Sequence, residues 1–85
     1  MAEEEIGEVF SYFSKVGVAA VKLTGGELNV GDTVRIKGAK TDFTMHVESM
    51  QVDRDPVETA SAGQSIGIKV PEKVRGSDIV YKVVD

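Results

Sequence analysis

Residues 24–38 read TGGELNVGDTVRIKG, and the placement of the other segments follows from how this stretch is read. Gly25 and Gly26 reach φ > 0 without a Cβ penalty, so an extended run that ends at Leu23 reverses direction there. Leu28 and Val30 then share one face. Gly31-Asp32 is a second turn signal. After it, Val34 and Ile36 alternate with Arg35 and Lys37, the period-two signature of a half-buried strand, and Gly38 closes that strand.

Upstream, Met1 to Glu5 is an acidic run with nothing apolar to dock and is expected to be a flexible start, leaving residues 6–85 as a single domain. Ile6 to Phe13 is rich in β-branched and aromatic residues on both faces, which predicts a strand covered on both sides or one at a barrel seam. Ser14-Lys15-Val16-Gly17 turns the chain into a second strand, Val18 to Leu23, where Ala19 and Ala20 are small enough for close packing at a corner.

Downstream, Thr41 to Asp53 is a long extended segment with a change of phase. Phe43, Met45 and Val47 share a face, whereas Met50 and Val52 fall on the opposite parity, so a β-bulge near Glu48-Ser49 is predicted. Pro56 excludes a central-strand position. Val57 to Gly63 is short, with room for one helical turn at most, and Gly63 is a second glycine expected at a strained turn. Ser65 to Val70 is the next strand, Pro71 ends it, and Ile79 to Val84 is the last. With about six strands and no sustained helical period, the class is all-β, a barrel or a sandwich.

The turn Gly26-x-Leu28-x-x-Gly31-Asp32 between two strands resembles the second domain of the translational GTPases, a small closed β-barrel found in elongation factor Tu and initiation factor two. GEVFSYF upstream and ESMQVDRDPVETASAGQSIGI downstream, with Ala60-x-Ala62-Gly63 before a strand, carry the same resemblance over residues 6–84. It implies a closed antiparallel Greek-key barrel of about six strands, and as partners the ribosome, tRNA or a translation factor. In the tRNA-delivering members, acidic residues just before a Val-Phe-Ser and a basic residue on the following turn hold the terminal adenosine. Laid over Val9-Phe10-Ser11, the second acidic position falls on Glu8, the basic one on Lys15 and an apolar floor on Val18. Gly7 stands at the first acidic position, and Lys15 replaces the usual arginine and its planar fork.

Composition narrows the function classes. At 85 residues the chain buries only about 60 to 65% of its unfolded surface, too little for a deep active-site cleft. Cysteine is absent, so no disulfide or thiolate zinc site supports the core. No apolar run of membrane-spanning length and no secretory leader is seen, which makes a cytoplasmic setting the expectation. The net charge of −4 argues against a generic nucleic-acid binder. Its distribution is uneven, however: residues 15–40 hold Lys15, Lys22, Arg35, Lys37 and Lys40 against Glu27 and Asp32, a local +3. Either these form a basic face, or they belong to an ordinary mixed surface.

Catalytic patterns are sparse. No phosphate-binding Gly-x-x-x-x-Gly-Lys-Ser/Thr occurs, so nucleotide hydrolysis is not expected. His46 is the only histidine and, without cysteine, lacks the partners for a nucleophile–base pair or a metal site; it is expected on the outward face of its strand. Asp53, Asp55 and Glu58 match no calcium loop. Gly63-Gln64-Ser65-Ile66-Gly67 spells a nucleophile elbow, but no helix is predicted to follow it. The resulting expectation is a non-enzymatic binding module of the translation apparatus, without cofactor or metal, touching RNA through Glu8, Lys15, Val18, Lys22, Arg35 and Lys37. The alternative is a protein–protein adaptor barrel. Gly25, Gly26, Gly31, Asp32 and Gly63 are the expected structural turns.

Overall fold

A computed structural model describes residues 2–84 as ten strands. In chain order they are β1 (Ala2–Phe13), β2 (Val18–Leu23), β3 (Glu27–Asn29), β4 (Thr33–Lys37), β5 (Asp42–His46), β6 (Met50–Val52), β7 (Asp55–Val57), β8 (Thr59–Ser61), β9 (Ser65–Lys69) and β10 (Ile79–Val84). Every pairing is antiparallel, and no helix occurs among the described residues.

β1 is shared between two neighbours. Its first half, Ala2 to Glu8, pairs with β10, and its second half, Gly7 to Phe13, pairs with β2. Gly7 belongs to both ladders, opposite Val80 on one side and Leu23 on the other, with a register shift just before it. The backbones approach closely there: a Cβ on Gly7 would lie 2.6 Å from the Lys22 carbonyl oxygen and 3.0 Å from Val21 Cγ1. A second shift, at Phe10, brings Ser11 opposite Ala20, and Ala20 in turn pairs with Gly67 of β9, so small residues meet across three strands. Such bulges bend a strand and increase its twist.

The main sheet runs β5-β4-β10-β1-β2-β9-β6-β7, and β3 pairs with β8 as a separate two-stranded sheet. Between them lies a core that includes Ile6, Val9, Val21, Leu23, Leu28, Val34, Ile36, Val47, Met50, Ile68, Val74 and Val80, each at most 1% exposed. The alternation read from the sequence holds in β4, where Val34 and Ile36 are buried and Arg35 is half-buried.

The central turn is fixed by more than glycine. Gly31 sits at φ 98, its N–H donates to the Val47 carbonyl, and the Val47 N–H donates to the Asp32 carbonyl, so two turn residues oppose the single residue Val47. The Asp32 carboxylate accepts from the Asn29 N–H at 2.8 Å and meets Lys82 Nζ at 3.2 Å. Burial alone would raise the Asp32 carboxyl, but the Asn29 N–H and the Lys82 ammonium outweigh it and hold the group below its ordinary value. Gly26 and Gly63 also take positive φ; Gly25 does not, and its N–H donates to the Ile6 carbonyl.

Four expectations need correction. Among the described residues strands number ten rather than about six, because residues 41–53 split into β5 and β6 and the short β3, β7 and β8 form as well. The phase change near Glu48-Ser49 is a break instead of a bulge: residues 47–49 belong to neither β5 nor β6, Val47 keeps its two backbone bonds to Gly31 and Asp32, and Val47 and Met50 are both buried. The acidic start is ordered over Ala2 to Glu5, which pair with Val84 to Tyr81; the backbone ladder needs no apolar side chains of its own. Finally, no sheet closes into a barrel among the described residues. The main sheet ends on β5 at one side and on β7 at the other, and Pro56 within β7 removes an N–H that a further neighbour would need.

Two glycine substitutions should separate two causes of strain. Gly7→Ala is expected to destabilise by about 1 to 3 kcal/mol because its Cβ meets backbone that cannot swing away. Gly31→Val should cost a similar amount, about 1 to 3 kcal/mol, through φ alone, since its Cβ would meet nothing within 4 Å. Denaturant unfolding of both variants checks this, and an unchanged midpoint for either removes that constraint from the account. Val47→Ala and Met50→Ala, on either side of the break, should each cost roughly 1 to 4 kcal/mol. A neutral result for one of them would place its side chain in solvent.

Candidate functional site

β5 ends the main sheet, and its hydrogen-bond parity follows from the bonds at its two ends. The Gly38 N–H donates to the Thr41 carbonyl, and the Val47 N–H donates to the Asp32 carbonyl. The register Ile36↔Phe43 and Val34↔Met45 lies in step with both. In an antiparallel ladder, bonded pairs alternate with unbonded ones. Thr41, Phe43, Met45 and Val47 therefore bond toward β4, and Asp42, Thr44 and His46 direct their N–H and C=O groups to the open side. The side chains alternate as well: Phe43 and Met45 are half-buried against the core, whereas Asp42, Thr44 and His46 are exposed.

A cleft of about 330 Å³ opens at the C-terminal end of this strand. Met45, His46, Glu48 and Ser49 line one wall, and Lys69, Val70 and Pro71 the other. It lies at the break in the ladder, where residues 47–49 cross from β5 to β6, and beside the end of β9, which pairs with β6 only through Gly67 and Ile68. The Val70 N–H donates to the Gly17 carbonyl and holds that wall against the β1–β2 turn. The lining is mixed: Met45, Val70 and Pro71 are apolar, Glu48 and Lys69 carry opposite charges, and His46 Nδ1 lies 2.9 Å from Thr33 Oγ1.

Of the six residues expected to touch RNA, Lys22, Glu8 and Lys37 fall in one row across β2, β1, β10 and β4, with Arg35 two residues along β4, whereas Lys15 and Val18 lie at the far end of the β1–β2 hairpin. Glu8 pairs with Lys22 across β1 and β2 and with Ile79 across β1 and β10. Lys15 lies in the turn beyond Phe13, which is already roughly 16 Å along the strand from Glu8 at about 3.3 Å per residue. Val18 is half-buried beside Gly67. Arg35 is engaged by two acids: its Nε and Nη2 donate to Asp42 at 2.8 Å, and Nη1 donates to Glu3 at 3.2 Å. The Asp42 carboxylate, and then Glu3, raise the Arg35 guanidinium further, and the Arg35 hydrogen bonds lower Asp42. Lys37 is exposed opposite Asp42 and Ile79. The local +3 read along the sequence is thus partly neutralised in space.

His46 is exposed, and Ser65 opens β9 opposite Lys22 with no helix after it. Among the described residues no group of three or more acids or histidines is placed to hold a metal ion. Along the β1–β2 hairpin, Phe10, Phe13 and Val16 are 53 to 60% exposed. None of the cleft residues was marked as a site by the sequence, which placed His46 on the outward face of its strand. The only signals were the phase change at Glu48-Ser49 and the strand-ending Pro71, two breaks that folding brings face to face.

No protein-family model matches the chain. It is 41% identical over 78 residues to a collagenase of Porphyromonas gingivalis, a match that covers 91% of this chain and 22% of the collagenase. It is 40% identical over 78 residues to an uncharacterized protease of Methanocaldococcus jannaschii, covering 91% of this chain and 19% of that protein. The chain spans about a fifth of the length of these curated relatives. Among solved structures it resembles the C-terminal domain of a putative U32 peptidase of Geobacillus thermoleovorans, with a TM-score of 0.88 and 24% identity over 95% of this chain and 93% of that one. The selenomethionine variant of the same domain gives a TM-score of 0.85, with 91% of this chain and 96% of that chain covered. These relatives overturn the likeness to the translational GTPases, and with it the expectation of a non-enzymatic module of the translation apparatus: the sequence relatives are named collagenase and protease. The shared turn grammar reflects strand geometry that unrelated β proteins also use. The fold is that of a U32 peptidase C-terminal domain, and the sequence relatives are proteins named for proteolysis.

Proposed function

We propose that this chain is a peptidase-family β domain that helps a U32-type peptidase hold its polypeptide substrate. The observation that carries this is the 41% identity across nearly the whole chain to a segment of a protein named collagenase. The fold match to a peptidase C-terminal domain supports it independently. Such a domain accounts for about a fifth of its relatives, so proteolysis is assigned to the complete protein in which it works. Phe10, Phe13 and Val16, exposed along one hairpin, suit contact with that larger body, since exposed apolar groups commonly mark interaction surfaces. The cleft beside β5 suits contact with the substrate.

A domain exchange tests this. The 78-residue segment of the Porphyromonas gingivalis collagenase that aligns with this chain is deleted, or replaced by the chain, and collagen hydrolysis is measured. Deletion should lower kcat/KM by at least about tenfold, and replacement should restore most of the loss, with the change mainly in KM if the domain holds substrate. Unchanged hydrolysis after deletion would contradict the proposal.

A further inference from the structure

We infer that the open edge of β5 accepts an extended segment of polypeptide as an added antiparallel or parallel strand, with one of its apolar side chains seated in the adjoining cleft. The inference rests on the proposed peptidase role and names its ligand class. Asp42, Thr44 and His46 present three N–H and three C=O groups in a row on the side away from β4, and among the described residues β5 pairs with β4 alone. An extended backbone is the ligand whose donors and acceptors repeat at that spacing.

The two ends of the main sheet differ in receptiveness. At β7 the edge is blunted: Pro56 removes a donor, and the strand is only three residues long after the positive-φ turn at Asp53 and Arg54. β5 carries no proline and no bulge within its five residues, and the one acid at its start is occupied by Arg35. The cleft supplies what an edge alone lacks. Met45 and His46 of β5 form one of its walls, so a side chain of an added strand near His46 lies beside the apolar lining of Met45, Val70 and Pro71, with Glu48 and Lys69 at hand for flanking charge. Backbone bonds would then give sequence-tolerant affinity and the cleft a preference for an apolar residue, a combination suited to a peptidase that handles many segments.

The test is an amide-shift titration of the intact chain with a capped synthetic peptide of alternating threonine and valine flanked by lysines, run beside the same peptide N-methylated at alternate residues. Expected are shifts confined to residues 42–49 and 69–71, with binding weakened about tenfold or more by the N-methyl groups that block one edge. Thr44→Pro should weaken binding similarly, because Thr44 bonds toward the open side and its loss leaves the β4 ladder intact. Ser49→Trp, an exposed change at the cleft wall, should reduce the valine preference. Equal binding of the N-methylated peptide, shifts elsewhere on the surface, or concentration-dependent pairing of two copies through β5 without peptide shifts would each overturn the inference. The titration does not depend on the domain exchange: loss of edge binding with a successful exchange removes this inference alone, and the reverse removes only the peptidase role.

Discussion

The close approach at Gly7 sets the course of the whole sheet. One residue serves two ladders there, with Val80 on one side and Leu23 on the other, and the Lys22 carbonyl occupies the space a side chain would need. Because β1 is committed to β10 in its first half and to β2 in its second, the last strand of the chain and the first hairpin are held in fixed relation. β4 and β5 follow from β10, and β9, β6 and β7 follow from β2. The apolar faces of these two wings, with the small β3–β8 sheet between them, enclose the core. Burial of that core is the main stabilising contribution, and the backbone ladders determine its shape.

How far the sequence revealed this depended on whether the determining contact was local. The turn at Gly31-Asp32 and the alternation of Val34, Arg35, Ile36 and Lys37 are properties of neighbours, and both appear in the fold. The opposite parities of Val47 and Met50 were visible as well, although the chain reconciles them by a break between β5 and β6 rather than a bulge. Order at Ala2 to Glu5 was not visible. It depends on backbone pairing with Val84 to Tyr81, about eighty residues away in sequence, and four exposed acidic or small side chains give no sign of that. Gly7 was read as a missing acid, when its lack of a side chain is what the packing requires.

The site was less legible than the fold for the same reason. Charge summed along residues 15–40 suggested a basic face, but Arg35 is satisfied by Asp42 and by Glu3 from the start of the chain. The cleft joins residues 45–49 to residues 69–71, and the open edge is a property of the sheet as a whole: no residue of β5 states that its outer side lacks a neighbour. A turn motif shared with the translational GTPases described strand geometry and carried no information about the molecule's work, which is determined by edges, clefts and the proteins to which a domain is joined.

β5 is an open edge with a fixed hydrogen-bond parity. Amide hydrogen exchange of the free protein, followed residue by residue, tests that most directly. The Phe43 and Met45 amides, bonded to β4, should be protected, whereas those of Asp42, Thr44 and His46 should exchange at close to unprotected rates. Equal protection across Asp42 to His46 would mean that the sheet closes over this edge, and would contradict the account.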